Sequence, residues 1–479
     1  MRVVSLSFGT SGLRGLAADL MGPPAYSHTV AFLRRMQARY GVAADGVVLL
    51  GRDLRESSPG IEQICRAALE DWGMQAVLCG ELPTPALALQ AMGRSSPAIM
   101  VTGSHIPSDR NGLKFYRPDG EIDKDDEAAI TGMERGVANG LRLKRPAESP
   151  QARTESAAVD AYLERFVGTF PRDCLKGMRI GVFAHSSVSR DLIGICLRSL
   201  SAETMELGRS ASFVAVDTES IPEEQRGQLA AWSRQHRLDA IVSADGDGDR
   251  PLIVTNSGIL LRGDLVGAIC AGFLGADCVV TPVTANSGIE RSGRFRRVVR
   301  TRVGSPYVIE GMERAGEAAA VVGFEPNGGV LVGRGAHVFG RTLSPLPTRD
   351  ALIVILSTLA SVNAAGTALD EQAGLFDFTP AASGKIKTSS AAAAKEFVSR
   401  LARDRAFRTA IIAGAIEEVE MDLTDGTRLV GRGGQQIHFR ASGNAPELRC
   451  YVEAETEAAA RSRLERCLTD AEAYLGKQP

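Results

Sequence analysis

Short apolar runs alternate with longer stretches of helical spacing along most of the chain. Residues 47–50 (Val-Val-Leu-Leu) read as a strand ending in Gly51-Arg52-Asp53. Residues 61–72 place apolar side chains at helical intervals, and residues 75–79 and 98–101 read as the next strands. Parallel strands need a crossover long enough to hold a helix, so this order predicts α/β units with mainly parallel sheets. The pattern restarts near residue 155, with an entry helix at 157–166 and strands at 179–183, 213–216 and 240–242. It restarts again after residue 249, with strands at 252–254, 278–280, 297–299 and 319–322 and helical stretches such as 264–274.

The tail follows a different pattern. Residues 380–388 read as a linker or entry strand and 391–403 as a helix. Residues 417–423, 427–430 and 436–440 read as antiparallel strands joined at Asp425-Gly426 and at 431–434, followed by a strand at 448–453 and an Ala-rich helix at 456–475. Gly-containing turns between alternating runs are the hairpin signal. The expected fold is three similar α/β domains with mixed, mainly parallel sheets, plus a smaller α+β C-terminal domain, divided as 1–152, 153–254, 255–372 and 373–479. The length of 479 residues suits that number at about 100–200 residues per domain.

Composition narrows the function classes. The chain carries 55 Lys and Arg against 57 Asp and Glu, so it is not a polyanion binder as a whole. Aromatics make up 5%, too few for an extended base-stacking surface, and no nucleic-acid partner is expected. The eight Cys include no C-x-x-C pair and sit among apolar neighbours, which predicts buried reduced thiols rather than a zinc or disulfide framework. The opening Met-Arg-Val-Val-Ser-Leu-Ser is no charged leader before a long apolar region, and the most apolar stretch, 265–276, is too short to span a bilayer. A cytoplasmic chain without a membrane partner is expected.

Four polar loops follow predicted strands, and ligands of α/β sheets bind beyond the carboxyl ends of strands. Thr102-Gly103-Ser104-His105-Ile106-Pro107, continuing to Asn111-Gly112-Leu113-Lys114, offers a nucleophile beside acid–base groups, although it also suits a plain turn. It is not an esterase elbow, since Thr102 and Ile106 stand where the two glycines belong. Asp245-Gly246-Asp247-Gly248-Asp249-Arg250 sets three carboxylates at alternate positions, whose repulsion calls for a cation; hard oxygen ligands suit Mg²⁺. An EF-hand is excluded because Arg250 and Asn256 occupy the places of its Gly and Glu. Gly323-Phe324-Glu325-Pro326-Asn327-Gly328-Gly329 pairs a carboxylate with an amide, able to bond sugar hydroxyls. Arg440-Ala441-Ser442-Gly443-Asn444-Ala445-Pro446, with Arg449 behind it, makes an anion cradle. A fifth segment, Gly9-Thr10-Ser11-Gly12-Leu13-Arg14-Gly15, could bring a guanidinium to a phosphate but is not a Walker loop.

In this order, and together with Gly51-Arg52-Asp53-Leu54-Arg55-Glu56-Ser57-Ser58, these segments resemble the α-D-phosphohexomutase superfamily over essentially the whole chain. The resemblance implies four domains around a central cleft. It implies that Ser104 is carried phosphorylated, and that Asp245, Asp247 and Asp249 hold Mg²⁺ together with an oxygen on Ser104. Lys114 matches the acid–base lysine, with His105 either sharing that role or orienting the loop. Arg14 and Arg250 match arginines near the transferred phosphoryl group, and Glu325, in the loop with Asn327, matches the residue that grips sugar hydroxyls. Arg440, Ser442, Gly443 and Asn444 match the loop that holds the non-reacting phosphate. A hexose phosphate substrate, a hexose 1,6-bisphosphate intermediate and a monomer or homodimer are implied as well. The commonest serine loop has Ala and Asn where Gly103 and Ile106 stand, the sugar loop has Ser in place of Asn327, and the phosphate loop has Thr-Glu in place of Asn444-Ala445. The sugar loop and Leu346-Pro347-Thr348-Arg349-Asp350 look most like the bacterial phosphomannomutase branch. Phosphoglucomutase and phosphoglucosamine mutase are the nearest alternatives, followed by a Mg²⁺-dependent sugar phosphatase and a non-catalytic sugar-phosphate-binding protein.

Overall fold

The computed structural model describes residues 6–9, 12–138, 153–412, 416–443 and 446–476. Among these residues the chain builds three mixed sheets in succession, a two-stranded ribbon of His337–Val338 and Arg341–Thr342, and then an antiparallel sheet. The first sheet runs Ser7–Phe8, Leu13–Leu16, Arg110–Arg117, Ala98–Val101, Val47–Arg52, Gln75–Glu81, Arg153–Thr154, with Gly120–Glu121 beside Arg110–Arg117. The second runs Glu203–Arg209, Arg179–His185, Ala240–Ala244, Pro251–Thr255. The third runs Arg297–Thr301, Cys278–Pro282, Val321–Phe324, Val330–Val332, Leu346–Asp350. In the last sheet, Ala381–Lys387, Glu447–Glu453, Gln436–Ala441, Thr427–Gly431 and Glu418–Asp422 lie antiparallel.

One device recurs in all four units. Ala98–Val101, Ala240–Ala244 and Val321–Phe324 each pair in parallel on one side and with their own antiparallel return strand on the other. In the last unit Gln436–Ala441 returns as Glu447–Glu453. The four polar loops are these returns. A short return fixes its loop at both ends on a sheet, which holds polar side chains more firmly than a long crossover does.

Two expected strands change. Residues 213–216 form no strand; Glu203–Arg209 lies at that sheet edge instead. Only Leu207 of the edge strand is buried, with Thr204 and Met205 half-buried and the rest exposed, so it carries no continuous apolar run. The apolar character of 213–216 serves packing: Phe213 lies 4.0 Å over the Arg55 guanidinium and Val216 is buried in a local core. The strand expected at 319–322 forms two residues later, at Val321–Phe324.

A single apolar cluster runs through the first three units, joining Leu87 and Met100 to Tyr162 and Val242 and to Val322 and Ile353. The C-terminal unit has its own, built on Phe397, Phe439 and Leu448. Polar contacts attach it to the third unit: Ser287 Oγ donates to Glu453 at 2.5 Å and Val303 N to Asp425 at 3.0 Å. A unit with a separate core and a polar seam can move as a body, because little apolar area is exposed when it does.

Candidate active site

The serine loop is held from behind by charge. Asp53 directly follows strand Val47–Arg52 and is buried; it accepts from Thr102 Oγ1 at 2.7 Å, Ser58 Oγ at 2.5 Å and Arg55 Nε at 3.2 Å. Arg55 then donates to the carbonyls of Ser104 (2.9 Å), Ile106 (2.6 Å), Pro107 (2.7 Å) and Arg110 (2.9 Å). A guanidinium with its donors used in this way acts as a rigid template for a loop. Ser104 is buried with φ 54°, in the left-handed region, a strained conformation sustained by that template.

Ser104 Oγ donates to Asp245 Oδ2 at 2.5 Å and lies 3.3 Å from His105 Nδ1. Asp245, Asp247 and Asp249 are all buried, and one oxygen of each lies within 4.8 Å of the others. The loop is pinned from two sides: Thr84 N donates to Asp247 O at 2.9 Å, and Ala351 N to Gly248 O at 3.3 Å. Lys114, on strand Arg110–Arg117, donates to Asp247 Oδ2 at 2.5 Å and Asp249 Oδ2 at 2.6 Å. Burial opposes its charge, but Asp247 and Asp249 outweigh burial and raise its pKa. Burial, then Asp247 and Asp249, push the Asp245 carboxyl well above the usual range. For Asp249 burial is outweighed by Arg349, Lys114 and Arg250, which hold its carboxyl low. Asp247 Oδ1 and Asp249 Oδ1 are buried without a hydrogen-bond partner. Orphaned carboxylate oxygens beside a carboxyl that resists ionisation fit a divalent cation, and an all-oxygen donor set fits Mg²⁺.

Two arginines add charge at this end. Arg14 stands on Leu13–Leu16, with Nη2 buried and unpartnered; burial, then Arg250 and Arg349, lower its pKa to about 10. Arg250 follows the acidic loop, 3.8 Å from Asp249 and 3.7 Å from Glu219. The His105 ring is pushed far below its ordinary pKa by burial, then by Arg250 and Arg14.

A cleft of about 600 Å³ opens over these groups, within the size range of small-molecule sites. All four units line it: Arg14 and His105, Arg250 and Glu219, Glu325 and Asn327, and Arg440, Ser442, Gly443 and Arg449. The loop of residues 323–329 is a tight return in which Gly329 N donates to Asn327 Oδ1 at 2.9 Å and Gly328 N to Glu325 O at 2.9 Å. On the far wall Arg440 pairs across strands with Arg449. Arg14, His105, Arg250, Glu325, Asn327, Arg440, Ser442, Gly443 and Arg449 thus line one gap, while Ser104, Lys114 and the three acids are buried behind it, next to His105 and Arg250. Asn444 lies outside the described residues, as do Ala445, Thr10 and Ser11.

Several residues gained no role from the sequence. Arg349 bridges Asp249 and Glu325, Arg55 templates the serine loop, Thr84 holds Asp247, and Glu219 faces Arg250. Arg55 and Arg349 stand within motifs that the sequence displays. Thr84 and Glu219 carry no local signal, because each meets a partner distant in sequence, Asp247 of the next unit for Thr84 and Arg250 of its own unit for Glu219.

A buried serine against three acids, facing paired arginines across a cleft, is the geometry of an enzyme that moves phosphoryl groups on a small polar substrate. Family models described as phosphoglucomutase/phosphomannomutase alpha/beta/alpha domains I, II and III match residues 5–135, 160–258 and 262–377. The chain is 44% identical to a phosphomannomutase of Sinorhizobium fredii (strain NBRC 101917 / NGR234), covering 95% of this chain and 97% of that one. It is 40% identical to a phosphomannomutase of Salmonella muenchen, covering 98% and 97%. Its fold is similar to that of a phosphoglucomutase/phosphomannomutase family protein from Burkholderia thailandensis, with a TM-score of 0.75 at 20% identity over 98% of this chain and 97% of that one. The chain belongs to the phosphoglucomutase/phosphomannomutase family. Among the described residues no helix is long and apolar enough to cross a membrane.

Proposed function

We propose that this chain is a phosphohexomutase that interconverts hexose 6-phosphate and hexose 1-phosphate, with mannose phosphate as its main substrate. The observation that carries the reading is the cleft that joins His105, beside Ser104, to the Arg440–Arg449 wall. The preference for mannose rests on the two phosphomannomutases that match nearly the whole chain. Glucose phosphate and glucosamine phosphate are the runner-up substrates. The four units, taken as 1–152, 153–254, 255–372 and 373–479, each contribute one loop.

In this mechanism the substrate's own phosphate binds Arg440, Ser442, Gly443, Asn444 and Arg449, while Glu325 and Asn327 take sugar hydroxyls. The free hydroxyl then faces phosphorylated Ser104. Its oxygen bonds to phosphorus as the Ser104 Oγ–P bond breaks, and its proton, relayed through Lys114 or His105, ends on the departing Ser104 Oγ. The product of this half-reaction is hexose 1,6-bisphosphate. The bisphosphate turns over in the cleft and returns its other phosphoryl group to Ser104. Such transfers need in-line placement and neutralisation of phosphoryl oxygens more than covalent help. Arg14 and Arg250 supply fixed positive charge. Asp245, Asp247 and Asp249, with an oxygen on Ser104, would hold Mg²⁺, which adds positive charge at the transferring group. The C-terminal unit, closing over the sugar, would keep water from the phosphoserine.

The test is a side-by-side assay of mannose 1-phosphate and glucose 1-phosphate with Mg²⁺ and a trace of hexose 1,6-bisphosphate. The expected result is the isomeric 6-phosphate, formed faster from mannose 1-phosphate. Stoichiometric release of inorganic phosphate would make the chain a phosphatase instead.

A further inference from the structure

We propose that Arg349 is a positioning residue that ties the sugar loop to the acidic loop, so that hydroxyl recognition at Glu325 is coupled to cation binding at Asp249. The inference rests on the phosphohexomutase reading and adds a residue and a linkage to it.

Arg349 lies in strand Leu346–Asp350, directly before helix Ala351–Ala365. Asp350 caps that helix, accepting from Leu352 N at 3.0 Å and Ile353 N at 3.3 Å, so the backbone under Arg349 is fixed. Its Nη2 and Nε donate to Asp249 Oδ2 at 2.7 and 3.1 Å, and its Nη1 donates to Glu325 Oε2 at 2.7 Å. All three side chains are buried, at 5% exposure or less. The route to Glu325 is open because residue 329 is glycine: a Cβ there would lie 2.5 Å from Arg349 Cδ and 2.7 Å from Cγ. Glu325 lines the cleft, whereas Arg349 is behind it and acts through the carboxylates it holds.

Position and charge together decide the role. The guanidinium is a planar fork whose edges serve two carboxylates in different directions; an ammonium at this site is a point charge. Asp249 also receives Lys114 at 2.6 Å, so it already has a cation of its own. What Arg349 adds is the link to Glu325. When a sugar hydroxyl pulls Glu325, or a cation pulls Asp249, the shared guanidinium passes the shift to the other loop. Linkage of this kind is reciprocal and typically about 5- to 150-fold in affinity.

The test uses isothermal titration of Mg²⁺ into dephosphorylated full-length protein, with and without mannose 6-phosphate, alongside steady-state kinetics. In the wild type, mannose 6-phosphate should tighten Mg²⁺ binding by at least about fivefold. Arg349→Lys should still bind both ligands separately, with that factor reduced to within about twofold of unity. Gly329→Ala, which keeps the charge but displaces the stem, should lower the factor as well and serves where the lysine variant folds poorly. An undiminished factor in either folded variant, or no linkage in the wild type, overturns the proposal. Wild type that binds no mannose 6-phosphate at all would instead sink the phosphohexomutase reading, and this proposal with it.

Discussion

Arg440 and Arg449 face each other directly across the antiparallel strands Gln436–Ala441 and Glu447–Glu453, and Lys385 stands beside Arg449 on the next strand. Like charges directly opposite destabilise a sheet unless something offsets them. Nearby acids do so incompletely: Asp425 is 3.8 Å from Arg440 and Glu447 is 3.6 Å from Arg449. A phosphate between the two guanidinium groups would complete the balance.

Inorganic phosphate should therefore raise the thermal midpoint of the wild type in a differential scanning experiment. Arg440→Ala should lose most of that rise. In the mutase assay the same variant should raise KM on the order of ten- to a hundredfold, the worth of one charge-assisted contact. An unchanged KM would remove this wall from substrate binding.

Ser104→Ala should abolish turnover while leaving the cleft intact. The hydroxyl is the proposed phosphoryl carrier, and its contacts to Asp245 and His105 are its main side-chain bonds in the structure. The backbone template from Arg55 and Asp53 does not use the hydroxyl. Mannose 6-phosphate affinity, measured by titration, should stay within about threefold of wild type while kcat falls below detection. A variant that keeps a substantial share of wild-type turnover would assign the phosphoryl carrier elsewhere.

Much of this arrangement was legible in the sequence because the loops are local. Asp245-Gly246-Asp247-Gly248-Asp249 announces a carboxylate cluster wherever it is placed, and the alternation of short apolar runs announces the three α/β units. Residues 213–216 were misread because an apolar run reports burial, not the kind of backbone that is buried. Glu203–Arg209 was missed for the converse reason, as an edge strand with little to bury. The pairings Arg349–Glu325, Thr84–Asp247 and Arg440–Arg449 join residues far apart in sequence or depend on strand register, which periodicity does not encode.

Gly103→Ala is a sharper test of the serine loop than a change at Arg55, which would leave buried Asp53 without its partner. A Cβ on Gly103 would lie 2.5 Å from Arg55 Cζ and 2.7 Å from Nε. The commonest loop of the superfamily has Ala here, so in this chain the guanidinium and the small residue are matched to each other. The substitution should cost about 1–3 kcal/mol in a denaturant titration, as overpacking does. By shifting Ser104 it should lower kcat by up to about a hundredfold with little change in KM. A variant with wild-type kcat would show that the template tolerates the methyl group.

Acid should weaken the folded protein through its buried histidines. His438 is buried on strand Gln436–Ala441; burial, opposed in part by its bond to Asp425 O, lowers its pKa from 6.5 to about 4. Between pH 6.5 and about 4 the unfolded chain takes up a proton that the folded chain refuses. The unfolded state thus binds more protons in that window, and the contribution of His438 to stability falls as pH drops through it. At pH 4.5 the loss from this group is about 2–3 kcal/mol relative to pH 7. His185, buried behind the acidic loop with its Nε2 donating to Ala244 O at 2.8 Å, is lowered to about 4 by burial and behaves alike. His438→Gln offers an amide N–H to Asp425 O, 2.6 Å from the present ring nitrogen, and does not titrate. Urea midpoints at pH 7 and pH 4.5 should therefore converge in the variant relative to wild type. Equal acid sensitivity in the two proteins would place the protonation that unfolds the chain at other groups.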